Sequence, residues 1–221
     1  MFKFTSFKKT FFLSFLSLFF IYSFSSCSNN APELNNATLS IIFDYDSYEE
    51  LPKARLCVFV EASSNPTRFE TIHVSSDKNE LEWQSDDLIL AENGQIKYCG
   101  LTNLVMPEKE IIPAGEYTIT FRQSDAEEKQ VKTKLRYEPL LYETIGSDVP
   151  DLIKHLFFTK MITIYDEEKN IIFYGQRTRE LSDSRGIWNT FPTAAEFQES
   201  WINLNNTVIC NMPMEKVTPG N

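Results

Sequence analysis

Apolar and polar side chains alternate through much of residues 37–122, a period of two that is typical of half-buried β-strands. The first such stretch has the apolar positions Leu39, Ile41, Phe43 and Tyr45. Similar stretches follow at 55–61, 69–74, 88–92, 95–99 and 116–122. Between two of them, Asn93-Gly94 suits a tight type I′ turn, because both residue types accept positive φ. The pattern predicts an antiparallel β-sandwich over residues 37–124.

Residues 125–210 combine strand-like and helix-like spacings of apolar residues. They predict an α+β region that is either separate or part of the same domain. Asp148 and Pro150 are typical of the start of a helix. The apolar face of that helix is predicted to be Val149, Ile153, Leu156 and Phe157. A hairpin is predicted to join 161–165 to 171–174.

A second helix is predicted near the end of the chain, because Thr193 and Glu196 match a capping box. Its apolar stripe would be Ala194, Phe197, Trp201 and Leu204. Residues 207–210 predict a last short strand, and 211–221, with two prolines and a glycine, predict a flexible tail. The fold class predicted overall is mainly β or α+β.

A Pro-Ala-Gly turn at 113–115 leads into a strand that begins with Tyr117. This segment is similar to the last strand of bacterial Ig-like and transthyretin-like β-sandwich modules, which implies a sandwich for residues 37–122. An antibody-type core is excluded on spacing. That core has a Tyr two residues before its second cysteine, whereas Tyr98 directly precedes Cys99.

The first 26 residues have the three parts of a secretory signal peptide. Lys3, Lys8 and Lys9 supply positive charge without any acid, and 11–22 form a nearly continuous apolar run. Small polar residues follow directly before Cys27. The apolar run is shorter than the roughly 20 residues that a membrane-spanning helix needs. We therefore expect cleavage rather than a retained membrane span.

The stretch Phe24-Ser25-Ser26-Cys27 resembles the lipobox of bacterial lipoproteins, although Phe24 stands where Leu is usual. The resemblance covers residues 1–27 only. It implies that Cys27 becomes the first residue of the mature chain and carries palmitate or similar acyl chains. The body would then be anchored to a bacterial membrane, facing the periplasm or the cell surface. The alternative is ordinary cleavage with an unmodified Cys27.

Removal of the signal peptide makes the chain strongly acidic. Loss of three of the 21 basic residues leaves 18 against 31 acidic ones, a formal net charge of −13. That charge argues against nucleic acid as a partner, because phosphate binding needs clustered Lys and Arg. Residues 27–36 are predicted to form a lipidated, polar and flexible tether.

Three cysteines remain besides Cys27, so at most one disulfide can form among them. Cys57 and Cys99 both fall in predicted strands and are the more plausible pair. Alternatively, these two and Cys210 are all reduced and buried as small apolar groups.

The sequence predicts no catalytic residue, metal site or cofactor. His73 and His155 lie far apart without spaced ligand partners, and the acidic run 44–50 has Glu49 where a calcium loop needs glycine. Trp188, predicted in a loop, and Tyr174 are candidate binding-surface residues.

A binding or structural role at the cell envelope is the predicted function, through the membrane and an unknown envelope protein or polymer. The alternatives are an extracytoplasmic hydrolase that acts on envelope polymer and a small-ligand carrier that serves a transporter. An enzyme or carrier is expected to have a deep cleft. A binding module is expected to have an apolar patch or an open strand edge, for example at 117–121 or 171–174.

Overall fold

The computed structural model describes residues 34–62, 66–107, 110–123 and 127–218. The predicted signal peptide, Cys27 and most of the predicted tether lie outside the described residues. Residues from Glu33 onward form one compact unit. Within the described ranges, no helix has the length and apolar character that a membrane span requires.

The mainly-β prediction is confirmed, since most described residues lie in strands. The strands are β1 (Leu34–Asp44), β2 (Lys53–Ala62), β3 (Phe69–Ser76), β4 (Glu82–Ser85), β5 (Ile89–Asn93), β6 (Ile96–Val105), β7 (Gly115–Gln123), β8 (Glu128–Leu135), β9 (Phe158–Tyr165), β10 (Ile171–Gln176), β11 (Glu196–Asn203) and β12 (Val208–Lys216). Two short α-helices accompany them in the described part of the chain, α1 (Val149–Ile153) and α2 (Ser184–Thr190).

The strands form two sheets. The large sheet has the order β10-β9-β11-β12-β1-β2-β6-β5, and the small sheet has the order β4-β3-β7-β8. The β1–β12 pair is parallel, whereas the other pairs are antiparallel. Because β12 lies beside β1, strands from 37–124 and from 125–210 share one sheet.

One hydrophobic core lies between the two sheets. The face of the large sheet that carries Leu39, Ile41 and Phe43, here termed the inner face, packs against Ile72 and Phe121 of the small sheet. All five side chains are buried, which accounts for the period-two pattern of the sequence. The opposite, outer face of β1 carries Ser40, Ile42 and Asp44.

A second core covers the inner face at the β9–β11 end of the large sheet. Ile162, Ile164 and Phe197 pack there against Ile187 of α2 and Leu181. Helix α2 begins at an Asp183 cap, whose carboxylate accepts the Gly186 N–H at 2.8 Å. Both cores therefore lie on the inner face.

The structure corrects the second helix predicted from the sequence, because residues 196–203 form strand β11. Phe197, Glu199 and Trp201 occupy alternate positions on the inner face, and Glu199 is buried. Because the middle one of these three residues is charged, the sequence does not show the alternation of apolar and polar residues that is typical of a strand. Pairing with β9 and β12 decides the conformation, as tertiary context often does for strands.

The flexible tail predicted from residue 211 is also wrong for most of its length. Strand β12 continues to Lys216, and Met212 and Val217 are buried. Pro213 is tolerated because the β11–β12 register shifts between Gln198 and Ser200, so its missing N–H falls at an irregularity of the ladder.

Two further predictions need small corrections. Helix α1 ends at Ile153, so Leu156 and Phe157 are exposed instead of lying on its buried face. The β5–β6 hairpin forms as predicted, but its turn residues are Gly94 and Gln95, one position later than expected. Gly94 adopts a φ of 63°, which favours glycine.

Candidate binding cleft

A row of polar side chains crosses the outer face of the large sheet on four neighbouring strands. Ser200 of β11 pairs with Asn211 of β12, and Asn211 pairs in turn with Asp44 of β1. Arg55 of β2 lies diagonally beside Asp44. We term these four residues the polar row. Strand register alone brings them together, since paired residues share a face of the sheet.

Asp44 and Arg55 form the centre of the polar row. The Arg55 Nε–H donates to Asp44 Oδ2 at 2.6 Å, and an Nη2–H reaches Asp44 Oδ1 at 3.5 Å. The Arg55 Nη1–H donates to the Thr102 carbonyl at 2.5 Å. This carbonyl is at a bulge, where Thr102 and Asn103 of β6 face the single residue Cys57 of β2. The guanidinium is thereby held in one orientation, and two of its five N–H groups remain available to a ligand.

The other half of the polar row orients the Asp44 carboxylate. Asn211 Nδ2–H donates to Asp44 Oδ1 at 2.8 Å, and the Ser200 hydroxyl donates to Asn211 Oδ1 at 2.7 Å. These bonds set which end of the Asn211 amide faces the carboxylate. The side chains of Asp44 and Arg55 are about one third and one quarter exposed, so solvent or a ligand can reach them.

A cleft of about 570 Å³ opens above Asp44 and Arg55. Gln198 and Met214 line one side of the cleft, and Asn103 and Val105 line the other. At its end, Lys53 Nζ lies 2.5 Å from Asp46 Oδ2. Two acids and two bases thus lie among apolar side chains, which provides hydrogen-bond donors and acceptors without a strong local net charge.

The residues that line the cleft can form hydrogen bonds with a ligand. No His, Cys or Ser is among the residues that line it. Asp44 and Asp46 each have a cationic partner, so neither carboxylate is placed as an isolated acid or base. Fixed donors and acceptors of this kind recognise hydroxyl, amide and carboxylate groups of a ligand.

A second charged cluster lies on the inner face between the two cores. Glu199 is buried and contacts both Arg177 and Lys160, with Lys160 Nζ 2.5 Å from Oε2. Burial, and then the nearby Arg177, lower the pKa of Lys160, whereas Glu215 raises it. Tyr48 donates to Glu215 Oε1 at 2.6 Å. Because Glu199 bridges two cationic side chains between the two cores, we interpret this cluster as structural.

The three cysteines are free thiols in the structure. Cys99 pairs with Val60, and Cys57 lies three residues away on the opposite face of β2, so the candidate disulfide does not form. Burial raises the pKa of Cys57 and Cys99 to about 11, with Arg55 partly opposing it at Cys57. Burial also raises the pKa of Cys210 to about 12.

The structure does not bring the candidate surface residues Trp188 and Tyr174 together. Trp188 lies in helix α2 rather than in a loop, and it packs against the second core on the inner face. Tyr174 is exposed on edge strand β10 and pairs with Thr163 on the outer face. Residues 171–174 therefore lie on an open edge, whereas 117–121 lie in β7, between β3 and β8.

Neither histidine takes part in a metal site within the described ranges, where no group of three His, Cys, Asp or Glu could hold an ion. His73 Nε2 lies 3.0 Å from Glu82 Oε2 on the small sheet. His155 is exposed after α1. In the acidic run, Asp44 and Asp46 have Arg55 and Lys53 as partners.

Comparison with models of known protein families finds no match, and a search of curated proteins finds none either. The cleft on the outer face was not predicted from the sequence. Its one local signal is Arg55 and Asp44, two opposite charges next to the apolar stretches of β1 and β2.

Proposed function

We propose that this chain is a lipid-anchored bacterial envelope protein whose β-sandwich body binds an envelope polymer in the outer-face cleft. The observation that carries the proposal is the sequence up to Cys27, with its basic start, apolar run and small residues. The first described strand, β1, starts at Leu34, seven residues after Cys27.

The energetics of acyl chains support an anchor of this kind. Each buried methylene contributes about 0.8 kcal/mol, so one chain binds reversibly and two or more bind stably. Lipid on Cys27 would therefore hold a body of net charge −13 at a membrane whose anionic lipids repel it.

The anchor is tested with labelled palmitate in cells that express the full chain. Wild type is expected to incorporate the label and to partition into detergent, whereas Cys27→Ala is expected to do neither. Cys57→Ala is the matched control, because Cys57 is half-buried in β2 and should leave labelling unchanged. Label on Cys27→Ala, or none on wild type, contradicts the anchor.

The cleft supports the binding half of the proposal. It is open rather than enclosed, so it can accept part of an extended chain. The remaining N–H groups of Arg55 suit carboxylates, and the amide of Gln198 suits hydroxyl and amide groups. Envelope polysaccharides and peptide-bearing glycans carry these groups repeatedly. The acidic chain makes nucleic acid an unsuitable ligand.

The binding role is tested by co-sedimentation of the protein with insoluble cell-wall polymer. Arg55→Lys keeps the charge but removes the planar donors, so it is expected to weaken binding about tenfold. The control is Arg122→Lys, because Arg122 makes a similar two-donor contact with Glu128 on the small sheet. Equal binding by both variants, at equal thermal stability, contradicts a polymer site in the cleft.

A further inference from the structure

Two neighbouring turns at one end of the large sheet present large apolar side chains to solvent. Phe157, just before β9, is 87% exposed, and Leu204, just after β11, is 79% exposed. The Leu204 N–H donates to the Phe157 carbonyl at 3.1 Å, which holds the two side by side. With Leu156, also exposed, they form what we term the apolar tip.

The apolar tip lies at the end of the sheet where β1 begins. Asn203 pairs with Phe158, and Ile202 pairs with Ile209, which lies beside Ile42. Strands β1 and β12 run parallel, so the turn before β12 lies level with Ser40, near the middle of β1. The Ser40 hydroxyl donates to the Asn206 carbonyl of that turn at 2.7 Å.

The surroundings of the tip lack the net negative charge of the chain as a whole. Beside the tip is a groove of about 500 Å³, lined by Arg136 and His155 together with the aromatic ring of Tyr137. Glu138 also lines it and balances the charge of Arg136, and its carboxylate accepts the Leu140 N–H at 3.4 Å. Aromatic and aliphatic side chains next to basic ones are the composition of surfaces that lie in a lipid headgroup region.

We infer that the apolar tip inserts into the lipid surface that holds the protein, so that the body is oriented as well as tethered. This inference rests on the proposed anchor at Cys27. It identifies a second membrane contact, made by Phe157 and Leu204 and independent of the acyl chains.

Distances along the sheet permit both contacts at once. Along the strand direction, Leu34 lies about six residues, or roughly 20 Å, beyond the tip. Across the sheet, β9 lies three strands, or roughly 14 Å, from β1. The distance from Leu34 to the tip is therefore about 25 Å. Seven residue steps from Cys27 to Leu34 reach at most about 25 Å. A lipid at Cys27 and the tip can thus reach one membrane surface when the sheet is tilted.

The test places a photo-crosslinking phenylalanine analogue at position 157 or 204 of the full-length protein. The protein is reconstituted in vesicles of phosphatidylethanolamine and phosphatidylglycerol. Position 171 is the matched control, because Ile171 is 63% exposed and lies at the opposite end of the sheet. About tenfold more lipid adduct is expected at 157 and 204 than at 171, since buried apolar side chains partition strongly into lipid.

Equal adduct yields at the three positions would overturn the inference. Adducts at 157 and 204 to a second copy of the chain, or to another protein instead of lipid, would overturn it too. A paired variant, Phe157→Ser with Leu204→Ser, should lower vesicle binding more than Ile171→Ser with Leu51→Ser, whose side chains are also exposed. Labelled palmitate on wild type reports the anchor separately, so failure of the tip and failure of the anchor are distinguishable.

Discussion

Replacement of Glu199 by Gln is expected to be among the most destabilising single changes at a polar position. The Glu199 side chain is 8% exposed and contacts Arg177, which is 18% exposed, and Lys160, which is 31% exposed. The amide of Gln keeps the shape but removes the negative charge. Two positive groups would then face each other between the two cores, without the carboxylate that neutralises them.

The expected loss is about 3 kcal/mol in the free energy of unfolding, because removal of one partner from a buried ion pair costs about 3–5 kcal/mol. The lower end applies because Lys160 is about one third exposed and can turn toward solvent. With an m-value of about 2 kcal/mol per molar urea, the midpoint should fall by about 1.5 M. Urea titration followed by tryptophan fluorescence measures this midpoint. Trp201 can report on the site, because its ring centroid lies 5.3 Å from Lys160 Nζ.

The matched control is Glu196→Gln on the same strand. Glu196 pairs with Lys169, which is largely exposed, and exposed pairs contribute about 0–1 kcal/mol. Its midpoint is expected to move by less than about 0.5 M. Equal shifts of the urea midpoint in the two variants would contradict this prediction, since burial of the ion pair would then contribute nothing to the free energy of unfolding.

Three other experiments have expected outcomes. The three free cysteines should resist alkylation at pH 8 until the protein unfolds, because a thiol of pKa about 11 or higher is ionised at that pH to roughly one part in a thousand or less. Mass spectrometry measures the labelling, and rapid labelling of the native protein would contradict this. Gly100→Ala should prevent stable folding, since its Cβ would lie 1.9 Å from the Val58 carbonyl oxygen, and a wild-type melting temperature would disprove the close approach. Trp83→Phe should lower the free energy of unfolding by about 1 kcal/mol, because it removes the hydrogen bond that the indole N–H donates to the Val105 carbonyl at 2.8 Å. An unchanged urea midpoint would contradict this.

The sequence predicts the strands whose central inward-facing positions are apolar. Strands β1, β2 and β7 are examples, because the alternation of apolar and polar side chains is a local property that each segment shows by itself. The hairpin of β9 and β10 is predicted for the same reason. Strand β11 is predicted wrongly because the buried Glu199 breaks its alternation, and the remaining apolar residues happen to match a helical spacing.

The candidate cleft could not be predicted because its residues are distant in the chain. Asp44 and Asn211 are 167 positions apart and meet only through the parallel pairing of β1 with β12. Asn211 and Pro213, read locally, favour a loose tail, and no short-range pattern indicates that a strand follows. The apolar tip could not be predicted for a similar reason, since Phe157 and Leu204 each match the apolar face of a helix in their own segments.

The intact mass of the protein purified from membranes tests lipid anchoring at Cys27. We expect the mass of residues 27–221 increased by glyceryl and acyl groups, with every addition located on the peptide that begins at Cys27. An unmodified chain, cleavage at another position, or retention of residues 1–26 would contradict lipid anchoring at Cys27.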